Sequence, residues 1–548
     1  MSQSYRLLGE SIPGPRGLDG GPFAADARKA RAWVAALPRA NAAFTQASLA
    51  QALDSLAGQK LDGSQRLSVL EELRPAIGES IGLLKRDYAG SALPLAPAKA
   101  AAAQQVEAFH LALAAGYRLA TVELCAPSGS VPMLRGGTVA SALARSAWHY
   151  SQALATAWRV YRAPAPGVWQ GLHRLHRFAV EVRLDVRPVE DALAGAPVEV
   201  RVYYLQALLM AITHPLAFSQ QEQDLLWRAT REFAPRCTVA SHPPSDNAPV
   251  VPEDADRGPG PAVVGETPAQ WLDMAAFVSE VDAALARQQG GQSDLMPPRG
   301  PGLRVGIELL DRLRRSFGLS AARTNVRLAG GHVLRTVFGL SGLHFYLAGQ
   351  RDFEAFMRQA AQHVVHVADR ASWAGAETDV SRVPVHEARV LDQSLGGYRM
   401  AWAHAGQIRA RVGELVGLTF ADADEYPEWM LGVIRWLRYE ADGGLSAGVE
   451  LVSRQTAAVG LRTTEGDEPI RAVEMQSMDD GERQFLAPNS LDAAATRIQV
   501  VRDQPADAPG SEVEEILAGV DVLLNAGDYA LLRPLRSDLV AEAEGDPA

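Results

Sequence analysis

The amino-acid sequence predicts an α+β protein of several domains, with a helical first half and a β-rich second half. The chain has 548 residues, more than one hydrophobic core usually holds, because single cores stop growing at about 250–300 residues. Up to about residue 236, Ala- and Leu-rich segments repeat at helical spacing. From about residue 323 the apolar segments become short, β-branched and aromatic, and Gly or acidic clusters separate them, as in a small barrel or sandwich.

An all-helical domain is expected over residues 25–236, after an irregular Gly- and Pro-rich arm at 1–24. An apolar stripe with steps of three and four residues runs through 169–179, as on one face of a helix. The sequence Ser219-Gln-Gln-Glu222 fits a capping box, in which the hydroxyl and the carboxylate satisfy free amides at the start of a helix. These signals predict a bundle of amphipathic helices.

Composition divides the rest of the chain. Residues 237–266 are rich in Pro, Asp and Gly, which is typical of a linker. Thr267-Pro268 then opens helices expected over 267–318. The remaining expected domains are a β-rich barrel or sandwich at 319–460 with a helical insertion at 349–384, a smaller β-rich C-terminal domain at 461–540, and an acidic tail at 541–548.

Charge and cysteine content narrow the function classes. A net charge of −11 predicts a poor general binder of nucleic acid and of anionic lipid. Cys125 and Cys237 fit neither a disulfide framework nor a zinc spacing, and favour a reducing compartment. The N-terminus lacks the apolar core of a signal peptide, and no apolar run approaches the ~20 residues of a membrane span. We therefore expect a cytoplasmic protein that inserts into no membrane.

Catalytic and metal-binding patterns are weak. The His-x-x-His pairs at 173–176 and 363–366 have an acceptable metal-ligand spacing but lack a third ligand nearby. The acidic residues at 422–425 fit a solvated loop better than a calcium site, and Trp429 and Trp436 are expected in cores or domain contacts. We expect no catalytic residues, no metal and no cofactor.

Two short motifs in the β-rich half carry the functional signal. Arg323 and Arg327 form R-x-x-x-R directly before the first predicted strand. Asp392, Ser394 and Gly397 form D-x-S-x-x-G between two strand-like runs. Each motif is common by itself, so a solvated basic turn and a bare hairpin loop stay open as alternatives. Their order within a β-rich segment is more specific.

In this segment the sequence resembles the PilZ domain family, over about residues 320–455. Beyond the two motifs, residues 412–418, 431–437 and 447–451 look like later strands of that family. The resemblance implies an antiparallel β-barrel that binds cyclic-di-GMP. The implied ligand-binding residues are Arg323, Arg327, Asp392, Ser394 and Gly397.

The implied roles suit a ligand with two phosphates and two guanines. An Arg guanidinium is a planar, permanent cation that matches phosphate oxygens and the O6/N7 edge of guanine. A carboxylate accepts guanine N–H groups, and Gly allows close backbone approach. Arg389, three residues before Asp392, is a candidate further cation.

The spacing departs from the family. Arg327 and Asp392 are 65 residues apart, which is longer than usual, and we attribute the excess to the insertion at 349–384. Three roles are open for this insertion: it covers the site, binds a partner, or displaces Arg323 and Arg327.

The leading hypothesis is therefore a non-catalytic, cytoplasmic cyclic-di-GMP receptor that relays the messenger level to a protein partner through its helical domain. Such a relay requires the ligand to bind one arrangement of the protein better than another. The alternative is a scaffold or adaptor whose barrel binds no nucleotide and which acts by protein–protein contacts.

Overall fold

The computed structural model describes residues 2–12, 21–23, 25–263, 269–298, 301–318, 327–364, 383–421, 428–463, 468–489, 491, 497–503, 514–526 and 528–535. The chain divides into two compact units, Met1–Arg323 and Thr324–Ala548. The first unit is mainly helical and the second mainly β, which confirms the predicted α+β class.

The first unit is a helical bundle around one large apolar core. Its main helices are α1 (Gln3–Gly9), α2 (Ala27–Ala35), α3 (Ala42–Gly58), α4 (Gly63–Tyr88), α5 (Pro97–Cys125), α6 (Gly136–Arg159), α7 (Val168–Glu181), α8 (Val200–Ile212) and α9 (Gln220–Phe233). The predicted stripe is buried on α7, where Leu172, Leu175 and Phe178 have no exposed surface. The capping box is confirmed at α9, since both Ser219 and Glu222 make their capping bonds.

The predicted irregular arm at 1–24 is wrong for its first residues, because they form α1. Ser2 caps this helix, and Tyr5 is buried with its hydroxyl donating to the Val122 carbonyl oxygen at 2.8 Å. The Arg118 guanidinium on α5 donates to the carbonyl oxygens of Leu8 and Glu10. Tertiary contacts from α5 thus stabilise a helix that is too short to be stable alone.

The stretch expected as a linker contacts the bundle. β1 (Thr238–Ala240) pairs with β2 (Trp271–Asp273), and the Asp256 carboxylate accepts from the backbone N–H groups that open α7. The helices expected over 267–318 are α10 (Ala275–Ala286) and α11 (Ile307–Gly318); their predicted start at Thr267-Pro268 is wrong, because Trp271–Asp273 form β2. Between them lies an antiparallel hairpin, β3 (Gln292–Leu295) and β4 (Leu303–Gly306), where the Gly- and Pro-rich composition indicated only a break.

The second unit contains the predicted antiparallel barrel. Its strands are β5 (Leu328–Ala329), β6 (Val333–Phe338), β7 (His386–Ser394), β8 (Gly397–Trp402), β9 (Leu415–Phe420), β10 (Met430–Tyr439) and β11 (Leu445–Ser453). Hydrogen bonding follows the order β7-β6-β9-β10-β11-β8, and β8 pairs with β7 to close the ring. β5 lies beside the end of β7, where Ala329 faces Asp392.

A second antiparallel sheet follows the barrel. Its strands are β12 (Thr456–Thr463), β13 (Ile470–Gln476), β14 (Arg483–Ala487), β15 (Ile498–Arg502), β16 (Glu514–Leu517), β17 (Val520–Asn525) and β18 (Ala530–Pro534), in the order β16-β15-β12-β13-β14-β18-β17. The predicted barrel boundary at residue 460 is wrong by a few residues and falls inside β12. A tight turn ends the barrel earlier, where the Gln455 N–H donates to Ser453 Oγ at 3.1 Å.

The expected insertion at 349–384 holds α13 (Phe353–Val364). Its predicted start is wrong, because the chain leaves the barrel earlier, in α12 (Gly339–Leu347), directly after β6. Phe356 on α13 is buried and forms an apolar contact with Ala458 on β12. The Arg351 guanidinium, between the helices, pairs with Asp503 beside β15 at 2.5 Å. The described part of the insertion therefore packs against the C-terminal sheet, whereas residues 365–382 lie outside the described residues.

One outer side of the barrel is buried by these neighbours. Val337, Leu415 and Leu431 pack in one core with Val473 and other residues of the C-terminal sheet. The opposite outer side, formed by β7, β8, β11 and the end of β10, carries charged side chains. We call this surface the charged face; it is where the predicted motif lies.

Candidate ligand-binding site

The D-x-S-x-x-G motif forms the hairpin between β7 and β8. Asp392 and Ser394 end β7, and Gly397 begins β8. The Ser394 hydroxyl donates weakly to the Gly397 carbonyl oxygen at 3.5 Å, across the turn. Gly397 has φ +154°, and a Cβ atom there would overlap the carbonyl oxygen of Val449 on β11. Only glycine fits this close approach of two strands.

A β-bulge turns Asp392 toward the charged face. The β7–β8 register shifts between Val390 and Asp392, so that Val390 faces Met400 but Asp392 faces Arg399. Val390 and Met400 are fully buried inside the barrel. Without the extra residue, Asp392 would point inward like Val390, because strand side chains alternate.

Arg327 meets Asp392 directly. Its Nη1 lies 2.5 Å from Asp392 Oδ1, although the two residues are 65 positions apart. β5 begins at the next residue and pairs with β7, which fixes this approach. The side chains keep 44% and 23% of their surface exposed, so the pair stays open to a ligand. Arg323 lies outside the described residues.

Arg389 lies on the same outer side of β7. It faces Ala401 on β8 and is exposed, one residue pair beyond buried Val390. Its distance along β7 from the hairpin makes it a peripheral member of the charged face. The ligand roles of Arg327, Arg389 and the three motif residues remain predictions.

Further residues of the charged face were not predicted from the sequence. Arg399 Nη1 lies 3.6 Å from Asp392 Oδ2, so Asp392 stands between two guanidiniums. Arg399 lies two residues after Gly397, and side chains alternate along a strand, so both residues belong to the same face of β8. This alternation could have identified Arg399 from the sequence. Arg435 on β10 forms an ion pair with Glu450 on β11.

Trp436 is not a core residue, unlike Trp429, which is buried as expected. A second bulge, between Ile434 and Trp436, turns the indole outward. There it covers Gly448, where a Cβ atom would overlap the ring. The charged face thus combines cations, a carboxylate and one partly exposed aromatic surface.

The other described candidates, His173 and Cys125, are buried. His173 Nδ1 lies 2.8 Å from the Tyr204 hydroxyl and its Nε2 2.9 Å from the Arg257 carbonyl oxygen. Burial lowers the pKa of His173 to about 4 and raises the pKa of the Cys125 thiol to about 11. The side chains of His363 and His366 and the acidic residues at 422–425 lie outside the described part of the structure. Among the described residues, no group of three or more His, Cys, Asp or Glu could hold a metal ion, and no helix is long and apolar enough to cross a membrane.

Two domain models built on the cyclic-di-GMP receptor FimW match this chain. The N-terminal domain model matches residues 28–245. The middle PilZ domain model matches residues 266–379 and 366–457. The chain contains a PilZ domain. The PilZ match spans the barrel, the two motifs and the helices before them.

One curated relative is the cyclic-di-GMP receptor FimW of Pseudomonas aeruginosa. It is 25% identical over 484 residues, which cover 78% of this chain and 77% of the relative. No solved structure matches the chain. The matches to this relative and to the two domain models thus extend the similarity well beyond the 320–455 segment that the motifs indicated.

Proposed function

We propose that this protein is a cytoplasmic cyclic-di-GMP receptor that binds its ligand on the charged face of the PilZ barrel. The observation that carries the proposal is the meeting of Arg327 and Asp392 on one exposed surface, 2.5 Å apart, from distant parts of the chain. A PilZ domain and a receptor relative of this messenger support it. The proposed role involves no catalysis.

The chemistry of the face fits the ligand. Guanidiniums at Arg327 and Arg399 would bind phosphates or guanine edges, and the Asp392 carboxylate would accept guanine N–H groups. Arg323 and Arg389 would add positive charge, and Ser394 and Gly397 hold the hairpin in shape. The indole of Trp436 offers a flat apolar surface for a purine.

Calorimetry with cyclic-di-GMP tests this proposal. Arg327→Ala and Asp392→Ala should each weaken binding at least about tenfold, since one hydrogen bond to a charged group contributes about 1.5–3 kcal/mol. Arg533→Ala is a matched control, because Arg533 lies on β18, outside the charged face, and forms a similarly exposed ion pair with Asp521 at 3.2 Å. Absence of heat with the wild type, or equal affinity of all variants, would refute the proposal.

A relay to a protein partner through the helical unit is part of the proposal. The match of the FimW N-terminal domain model to residues 28–245 supports a shared role for this unit. The full chain is cross-linked in cell extract with and without cyclic-di-GMP. We expect a cross-linked partner protein whose amount changes when the ligand is added. The relay is excluded if ligand binds but changes no cross-link.

The adaptor alternative is favoured by one observation. Asp392 already accepts from Arg327 and lies near Arg399, so the charged face partly neutralises itself. An adaptor would show the same contacts, would give no heat with cyclic-di-GMP, and would still retain its protein partner.

A further inference from the structure

A row of three residues crosses the charged face beside the predicted motif. Gly448 on β11 faces Arg399 on β8 on one side and Trp436 on β10 on the other. Neighbouring strands lie about 4.8 Å apart, so the backbones of Arg399 and Trp436 are separated by about 10 Å. Gly448, between them, has no side chain. The strip of surface above Gly448 can therefore hold the Trp436 indole.

The indole occupies this strip. A Cβ atom at Gly448 would overlap the indole ring, which shows that the ring covers the glycine and reaches from β10 over β11, in the direction of β8. Trp436 keeps part of its surface exposed to solvent. Arg399 lies at the β8 edge of this strip, and 45% of its side-chain surface is exposed.

Arg399 is also held in place at its tip. Its Nη1 lies 3.6 Å from Asp392 Oδ2, while Arg327 takes the other oxygen of that carboxylate at 2.5 Å. The longer contact is the weaker of the two, and exposed ion pairs contribute at most about 1 kcal/mol. The guanidinium can therefore turn from Asp392 to a ligand at low cost.

We propose that Arg399 is a guanine-reading residue, which makes the site prefer cyclic-di-GMP to a cyclic dinucleotide of adenine; this rests on the proposed function. A purine that stacks on the Trp436 indole presents its edge toward β8. The Arg fork donates two hydrogen bonds to guanine O6 and N7. Adenine places an amino donor where guanine has O6, and that donor opposes a guanidinium.

The test is calorimetry on the full chain with three ligands: cyclic-di-GMP, cyclic-di-AMP and cyclic-di-IMP. Hypoxanthine keeps O6 and N7 but lacks the 2-amino group that a carboxylate would read. Arg399→Ala should weaken cyclic-di-GMP and cyclic-di-IMP alike, by at least about fivefold, and leave the cyclic-di-AMP affinity nearly unchanged. Arg399→Lys should not restore the preference, because an ammonium keeps the charge and loses the fork.

Arg533→Ala serves as the control for general loss of positive charge on the same chain. Equal weakening of all three ligands by Arg399→Ala, or full restoration by Arg399→Lys, would show that only charge matters and would overturn the inference. Wild-type binding that Arg399→Ala leaves unchanged would also overturn it, with the proposed function intact. Absence of binding by the wild type would refute the proposed function itself.

Discussion

Replacement of Gly397 by Ala should loosen the β8–β11 pairing that holds the motif hairpin. The backbone at Gly397 has φ +154°, a region that costs other residues about 1–3 kcal/mol. The added Cβ would also meet the carbonyl oxygen of Val449 and lie 3.1 Å from the Glu450 Cα. The strands must separate there, and the Leu451 N–H bond to the Gly396 carbonyl oxygen, 2.9 Å long, would be weakened by about 0.5–1.5 kcal/mol. The expected loss is about 2–4 kcal/mol.

Hydrogen exchange followed by mass spectrometry measures this loss locally, as the opening free energy of peptides from β8 and β11. Two glycines serve as matched controls, since neither has an atom within 4 Å of an added Cβ. Gly443→Ala, at φ +86°, reports backbone strain alone, and Gly406→Ala reports neither strain nor overlap. If Gly397→Ala changes the opening free energy no more than Gly443→Ala does, the close approach to Val449 is not what requires glycine.

Three further predictions concern stability. Asp191→Asn should destabilise the helical unit by about 3–5 kcal/mol, because it leaves buried Arg74 without the carboxylate it binds at 2.7 and 2.8 Å; an unchanged urea midpoint would contradict this. His173, whose pKa burial lowers to about 4, stays neutral in the folded protein while the unfolded chain takes up a proton below about pH 6.5. His173 alone should therefore lower stability from pH 6.5 toward pH 4, by about 2 kcal/mol at pH 5; His176, whose pKa burial lowers to about 3, adds a loss of the same sign, and a pH-independent urea midpoint would rule this out. Phe356→Ala should leave a cavity under α13, cost about 3–5 kcal/mol and speed proteolysis near α13, whereas Leu523→Ala, at a 41% exposed site, should do neither.

Local signals in the sequence predicted those elements whose cause is local. The Ser219–Glu222 capping box needs only four residues, and α9 begins where it predicts. The segments 431–437 and 447–451 lie in β10 and β11, because short β-branched runs between turn residues need no distant partner to be recognised.

Elements that depend on distant contacts were missed. α1 has only 7 residues, too few to give a strong local signal. A hydrogen bond from the Arg118 guanidinium, more than a hundred residues away in the sequence, holds it in place. The hairpin of β3 and β4 has short, partly exposed strands, and its Gly- and Pro-rich loop reads as a break between helices. The contact of α13 with the C-terminal sheet rests on residues such as Ala458, which carry no local sign of a partner.

The pairing of Arg327 with Asp392 shows why the long spacing between the two motifs does not separate them. β5 and β7 are neighbours in the barrel, so any chain that leaves β6 and returns to β7 restores the same register. The insertion leaves through α12 and packs, in its described part, on the C-terminal sheet. Loop length between adjacent strands costs little free energy, since closure entropy grows only with the logarithm of length.

The composition of the charged face depends on two irregularities that a period of two cannot predict. Strict alternation from Val390 would turn Asp392 into the barrel, and alternation from Ile434 would bury Trp436. One extra residue in β7 and one in β10 reverse both outcomes. Bulges commonly re-aim side chains beside functional sites, and here both bulges direct a polar or aromatic group to the same surface. The carboxylate and the indole therefore reach the charged face of the barrel because the sheet departs from regular pairing at these two points.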